Sequence, residues 1–281
     1  MSYASTDEPE RSDGVAPPAP TLVVGIGASS GGLEALRSFC SALPRETGLA
    51  FVIIQHFDDS APNLLPELLS NLCGIPAEEA SDGKTLAADH IYVAPAHSIV
   101  RLHAGVLEVV KATTPEERRG LIDAFFHSLA DDRQAGAIGV ILSGSGTDGT
   151  LGLKAISDGG GMTIVQEPET ARYDSMPRSG ATLGVADRVL PPEKMASEIV
   201  AYAKHVQSLL VGDDGGAVRE QIGGALGSIC EILERHTEHN FKHYKTSTLV
   251  RRISRRSSTG TPLALCIIRQ LSHSTISSGF H

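Results

Sequence analysis

The sequence predicts an α/β protein with a doubly wound, mainly parallel sheet, helices on both faces and a short C-terminal helical appendage. Two observations carry this expectation. Apolar runs with strand character alternate with segments of helical spacing from residue 21 to residue 210, the pattern of strands joined by crossover helices. The length of 281 residues then suits one α/β domain of ordinary size with something smaller attached.

The elements follow in order. Residues 1–20 mix Ser, Asp, Glu and Pro without apolar periodicity and read as a disordered leader. Thr21–Ile26 is a β-branched apolar run that passes through a glycine turn into a helix, Leu33–Leu43. There follow a strand at Leu49–Gln55, a helix near Asn63–Leu72, a strand at His90–Val93 and a hairpin around Ile99–Val110. Helix Leu121–Asp131, strand Ala137–Leu142, helix Leu151–Ser157 and strand Met162–Gln166 continue the alternation, which implies a parallel sheet covered on both faces. Helix Pro192–Leu210 closes a domain spanning 21–210. Glycine and aspartate mark 211–218 as a linker, 219–256 reads as a helical fragment, and 257–281 as an irregular tail.

Composition narrows the function. No run approaches the ~20 apolar residues needed to cross a bilayer, and the N-terminus lacks the order of a secretory signal, so a cytoplasmic protein without membrane insertion is expected. Cys40, Cys73, Cys230 and Cys266 never form a CxxC pair, and read as small buried hydrophobes rather than a disulfide framework or zinc site. Residues 1–214 hold 15 Lys and Arg against 29 Asp and Glu, a balance of −14, whereas 215–281 hold 9 against 4, or +5. An acidic body argues against nucleic acid, whose phosphates require a basic surface. His236, His239 and His243 share helical spacing, but without cysteine or an HExxH pattern they read as an exposed polar face; neither a metal nor a cofactor is called for.

Three loops, each leaving the C-terminal end of an expected parallel strand, carry candidate chemistry. The first, Gly25-Ile-Gly-Ala-Ser-Ser-Gly-Gly32, fits two patterns. As Gly25-x-Gly27-x-x-x-Gly31 it resembles a dinucleotide or phosphate cradle. As Gly27-x-Ser29-x-Gly31 it fits the elbow that presents a serine on a sharp strand-to-helix turn. The second loop begins at His56, an imidazole at a strand rim; a dinucleotide site would want an acidic residue there, and Asp58 and Asp59 keep that alternative open. The third, Ser143 to Thr150, places Asp148 at a helix start, where it reads either as an N-cap or as the acid of a serine–histidine–carboxylate set. A serine hydroxyl is a weak nucleophile until a base takes its proton. On this reading Ser29 is the nucleophile, His56 the base and Asp148 the group that orients it. Amides at the start of the Gly31 helix, around Ser30 and Gly31, with those of the Gly144–Gly146 loop including Ser145 and Gly146, would hold the oxyanion.

Five ordered segments also carry a resemblance. Val24–Gly32, Gln55-His56, Ile91-Tyr-Val-Ala-Pro95, Leu142–Gly149 and Ser175-Met-Pro-Arg-Ser179 together resemble the catalytic domain of the chemotaxis protein-glutamate methylesterase. The resemblance implies hydrolysis of glutamate γ-methyl esters on methylated chemoreceptor helices, with methanol released, and deamidation of receptor glutamines. It carries the triad onto Ser29, His56 and Asp148, and an oxyanion amide onto Ser145, which stands where that family usually has methionine. The phospho-receiver domain usual in that family does not precede residue 21, so control by phosphorylation in cis is not expected. Residues 229–256 resemble the opening of a receptor methyltransferase, which implies an esterase–methyltransferase fusion cut short early in its second part. Beside the esterase stand two other readings, a nucleotide-binding module and an inactive signalling scaffold.

Overall fold

The computed structural model of the chain describes residues 21–56 and 64–211, together with residues 227 and 230. The leader, the linker, the helices expected at Arg219–His236 and Thr248–Arg256, the histidines 236, 239 and 243, and Asp58 and Asp59 lie outside the described residues.

Nine strands and six α-helices are described. The strands are β1 (Val23–Ala28), β2 (Ala50–Gln55), β3 (Ala77–Glu79), β4 (His90–Val93), β5 (Ser98–His103), β6 (Val106–Lys111), β7 (Ala137–Ile141), β8 (Met162–Gln166) and β9 (Arg188–Leu190). The helices are α1 (Gly32–Ser41), α2 (Leu65–Cys73), α3 (Leu121–Arg133), α4 (Thr150–Asp158), α5 (Ser175–Thr182) and α6 (Pro192–Val211). Seven strands form one parallel sheet in the order β3-β4-β2-β1-β7-β8-β9, and β5 and β6 make a separate antiparallel hairpin. The expected α/β class and parallel sheet are what is found.

All six residues of β1 are buried, because the strand lies at the centre of the sheet with helices over both faces. Side chains alternate across a strand. Val24, Ile26 and Ala28 enter the core beneath α1, α2 and α6, with Leu36, Phe39, Met195 and Ile199. The other face, under α3 and α4, receives Gly25 and Gly27, and there the helix supplies the bulk. A β-carbon at Gly25 would come within 2.9 Å of both Phe125 and Phe126, and one at Gly27 within 2.4 Å of Ile122 Cγ2. These two glycines exist so that α3 can press onto the strand. The glycine spacing that also fits a phosphate cradle thus has a packing explanation at these two positions.

Two strands and one α-helix escaped the sequence reading: β3 and β9, each three residues long, and α5, which begins on the Ser175–Ser179 segment. The reading of the cysteines also needs correction. Cys40 and Cys73 are buried as expected, yet they form a disulfide with Cα atoms 4.5 Å apart. Their helices pack side by side on one face of the sheet, and a separation of 33 residues leaves no local mark of that proximity.

The chain reverses direction across the sheet between β1 and β7. From β1 it proceeds to β2 and β4 on one side, and later returns to β7 on the other. Loops at such a switch point diverge at the strand ends and leave a crevice, and β2, β1 and β7 are the strands that lead into the three candidate loops.

Gly27→Ala should destabilise the fold by about 1–3 kcal/mol, since Ile122 is β-branched and stiff and cannot swing aside. Urea unfolding would measure it. Because one contact causes the loss, pairing the substitution with Ile122→Ala should cost less than the sum of the two alone.

Candidate active site

The register of β1 on β2 pairs Ala28 with Gln55, so the next residue on each strand, Ser29 and His56, occupies an adjacent tip. The His56 amide donates to Ala28 O at 3.2 Å, and the Ser29 amide donates to Ser143 O at 3.0 Å, so the serine is stitched to the strands on both sides. The turn that follows is closed by the Gly32 amide donating to Ser29 O at 2.9 Å. Its sharpness requires Gly31 in the left-handed region at φ 75°, where a side chain would also strike Ser143 Oγ at 2.7 Å. Gly144 backs onto the serine: a β-carbon there would lie 2.9 Å from Ser29 Cβ.

Asp148 reaches His56 from the third tip. Its Oδ2 accepts the His56 Nε2 proton at 3.0 Å. A carboxylate only accepts, so in this contact Nε2 is the donor and Nδ1 is the ring nitrogen that Asp148 leaves unengaged. The carboxylate is 6% exposed and the imidazole 26%. Asp148 also accepts from Ile122 N–H through Oδ2 at 3.1 Å and from Asp123 N–H through Oδ1 at 3.0 Å. It is therefore an N-cap, but of α3 rather than of the helix it precedes. The residue before α4 is Gly149, which has no side-chain cap to offer, and the cap of α3 itself is Gly120. Capping and bonding to His56 are not alternatives, as the sequence suggested. One carboxylate does both.

The amides of Ser30, Gly31, Ser145 and Gly146 have no hydrogen-bond partner among the described residues. Gly144, which the sequence reading grouped with them, is already committed, donating to Tyr173 O at 2.9 Å. Among the described residues no group of three or more His, Cys, Asp or Glu could hold a metal ion, and no helix is long and apolar enough to cross a membrane.

Two residues that sequence reasoning passed over brace the elbow. Ser143, 1% exposed, accepts the Tyr173 amide at 3.0 Å and directs its hydroxyl toward Ser30 O at 2.9 Å and Tyr173 O at 3.2 Å. Gln166, 2% exposed, accepts the Ser143 amide at 2.8 Å and donates from Nε2 to Thr170 O at 3.1 Å. The available signal was their position: Gln166 ends β8 and Ser143 follows the apolar run of β7, and a buried polar group needs a stated partner.

Comparison with known proteins gives a consistent picture. The family model described as CheB methylesterase matches residues 24–199, more than half of the chain. The chain is 38% identical over 185 residues to protein-glutamate methylesterase/protein-glutamine glutaminase 2 of Cupriavidus metallidurans, covering 66% of this chain and 54% of that protein. It is 36% identical over 189 residues to protein-glutamate methylesterase/protein-glutamine glutaminase 3 of Burkholderia orbicola, covering 66% and 56%. It thus spans about half the length of the curated relatives it matches. Among solved structures it resembles the CheB methylesterase catalytic domain of Thermotoga maritima, at 28% identity and a TM-score of 0.59, covering 64% of this chain and 97% of that one.

The Ser143 brace is open to direct measurement. Ser143→Ala leaves Tyr173 N–H and Ser30 O without their partner and should cost about 1–3 kcal/mol. For a domain of this size that is a fall of about 2–4 °C in Tm per kcal/mol, read by thermal unfolding. An unchanged Tm would show that the hydroxyl does not hold the elbow.

Proposed function

The chain belongs to the CheB methylesterase family, and on that premise we propose that it hydrolyses glutamate γ-methyl esters on methylated chemoreceptor-type proteins, releasing methanol. The catalytic unit is residues 21–210, acting in the cytoplasm. Ser29 is the nucleophile, His56 the general base and Asp148 the acid that orients it.

The observation that carries this reading is the hydrogen bond between His56 Nε2 and Asp148 Oδ2, made at the tip next to Ser29. Ser29 Oγ attacks the ester carbonyl carbon while its proton passes to His56 Nδ1, the nitrogen left free by the Asp148 bond. The resulting imidazolium is stabilised by the buried carboxylate. The negative charge on the former carbonyl oxygen is met by amides from two sides, Ser30 and Gly31 at the head of α1 and Ser145 and Gly146 in the third loop. Collapse of the tetrahedral species breaks the bond to the methoxy oxygen, which takes the proton back from His56 and leaves as methanol. Water then adds to the acyl-enzyme by the same route and frees the glutamate carboxylate and the Ser29 hydroxyl. A glutamine side chain would pass through the same steps with ammonia as the leaving group, in keeping with the second half of the relatives' names.

Ser29→Ala should abolish methanol release from methylated receptor, and Asp148→Asn should lower kcat by about 10³–10⁴-fold by presenting the wrong partner to the ring. Both are read by gas chromatography of released methanol. Hydrolysis by Ser29→Ala at the normal rate would overturn the proposal. Failure of a fluorophosphonate probe to label Ser29 in the unaltered protein would favour a non-catalytic scaffold.

A further inference from the structure

The anchoring of Asp148 has a counterpart. Asp123 lies in the first turn of α3, and its carboxylate accepts the Gly152 amide in the first turn of α4 through Oδ1 at 2.7 Å. Asp148, in the loop that leads into α4, accepts the Ile122 and Asp123 amides of α3. Each helix is thus capped by an aspartate belonging to the other, and neither has a side-chain cap of its own. Such crossed capping needs the two first turns to touch backbone to backbone. Gly152 permits it, since a β-carbon there would lie 2.4 Å from Phe126 Cβ and 3.1 Å from Asp123 O. Gly149 permits it too, its β-carbon position falling 2.6 Å from Ile122 Cγ2.

We propose that Asp123 is a positioning residue of the active site: by holding the head of α4 at Gly152 it fixes the preceding loop, and with it Asp148, at hydrogen-bonding distance from His56. The inference rests on the esterase reading for its kinetic consequence, but not for its structural one. Ser143 and Gln166 brace the start of the third loop against β8, which leaves its far end, from Ser145 to Asp148, to be held from α3 and α4. A slack cap would let the Asp148 carboxylate keep one α3 amide while losing the ring. Placing a second carboxyl beside Asp148 is unfavourable in itself. Burial pushes the Asp123 carboxyl above its ordinary range, the Gly152 amide opposes this, and the charge of Asp148 adds to it. An apolar residue would avoid that cost, and the gain that offsets it is the bond to Gly152.

The test compares Asp123→Ala, which removes the acceptor, with Asp123→Asn, which keeps an oxygen for Gly152. The first readout is the downfield proton resonance of the His56 Nε2–H bound to Asp148, assigned by its loss in His56→Gln. It should vanish in folded Asp123→Ala and persist in Asp123→Asn, whereas a purely stabilising role would leave it in place in both. The second readout is kinetic: Asp123→Ala should lose about tenfold or more in kcat with KM unchanged, and Asp123→Asn should stay near the original rate. If Asp123→Ala does not fold, Asp123→Glu carries the same expectation, since the longer side chain displaces the cap. Retention of the resonance in Asp123→Ala, or its loss in Asp123→Asn, would overturn the proposal. Absence of Ser29-dependent hydrolysis in the unaltered protein would instead sink the esterase reading, with the resonance still deciding the role of Asp123.

Discussion

The geometry of the crevice depends on a single buried carboxylate. Asp148 accepts two amides of α3 and the ring proton of His56 at once. Two amide donors at the positive end of the α3 dipole, with the ring proton, occupy its oxygens although it is almost wholly removed from water. An unpaired buried carboxylate would be costly. Here the helix terminus offsets that cost and leaves a lone pair for the ring. The capping role and the catalytic role assigned to Asp148 therefore reinforce each other, since any displacement that loosens the cap also loosens the imidazole.

That arrangement constrains much of the packing around it. For α3 to present its first turn to Asp148 it must lie directly on β1, and the strand yields space by being glycine at 25 and 27. The neighbouring tips then fall into place through register. Ala28 opposite Gln55 sets Ser29 beside His56, and Gly27 opposite Ile141 brings the strand that leads to Asp148 alongside. Three tips converge because three consecutive strands of a parallel sheet end at the same edge.

Much of this was legible in the sequence, for physical reasons that differ from residue to residue. The strands declared themselves because central parallel strands are apolar throughout, and the loops because small residues after an apolar run can only be a turn. Ser29 and His56 were visible as polar residues at strand ends, and Asp148 as a carboxylate at a helix start. What stayed hidden depends on pairings between distant segments. Asp148 caps a helix that begins 27 residues earlier in the chain, and Cys40 meets Cys73 across 33 residues, proximities that no local pattern encodes. The strands β3 and β9 were missed because three residues are too few to show a period. Helix α5 was missed because Ser, Pro and Gly obscure its spacing, although Met176 and Pro177 bury a clear face.

Those two overlooked strands bear on how the molecule can meet others. Each forms a lateral margin of the sheet, and each is guarded by charge: Glu78 pairs with Lys84 at one border, and Arg188 with Glu198 at the other. A margin so brief and so charged gives an incoming extended chain almost nothing to zip onto. Sheet addition is thereby discouraged on both flanks, so the seven-stranded layer stays a finished unit rather than a template.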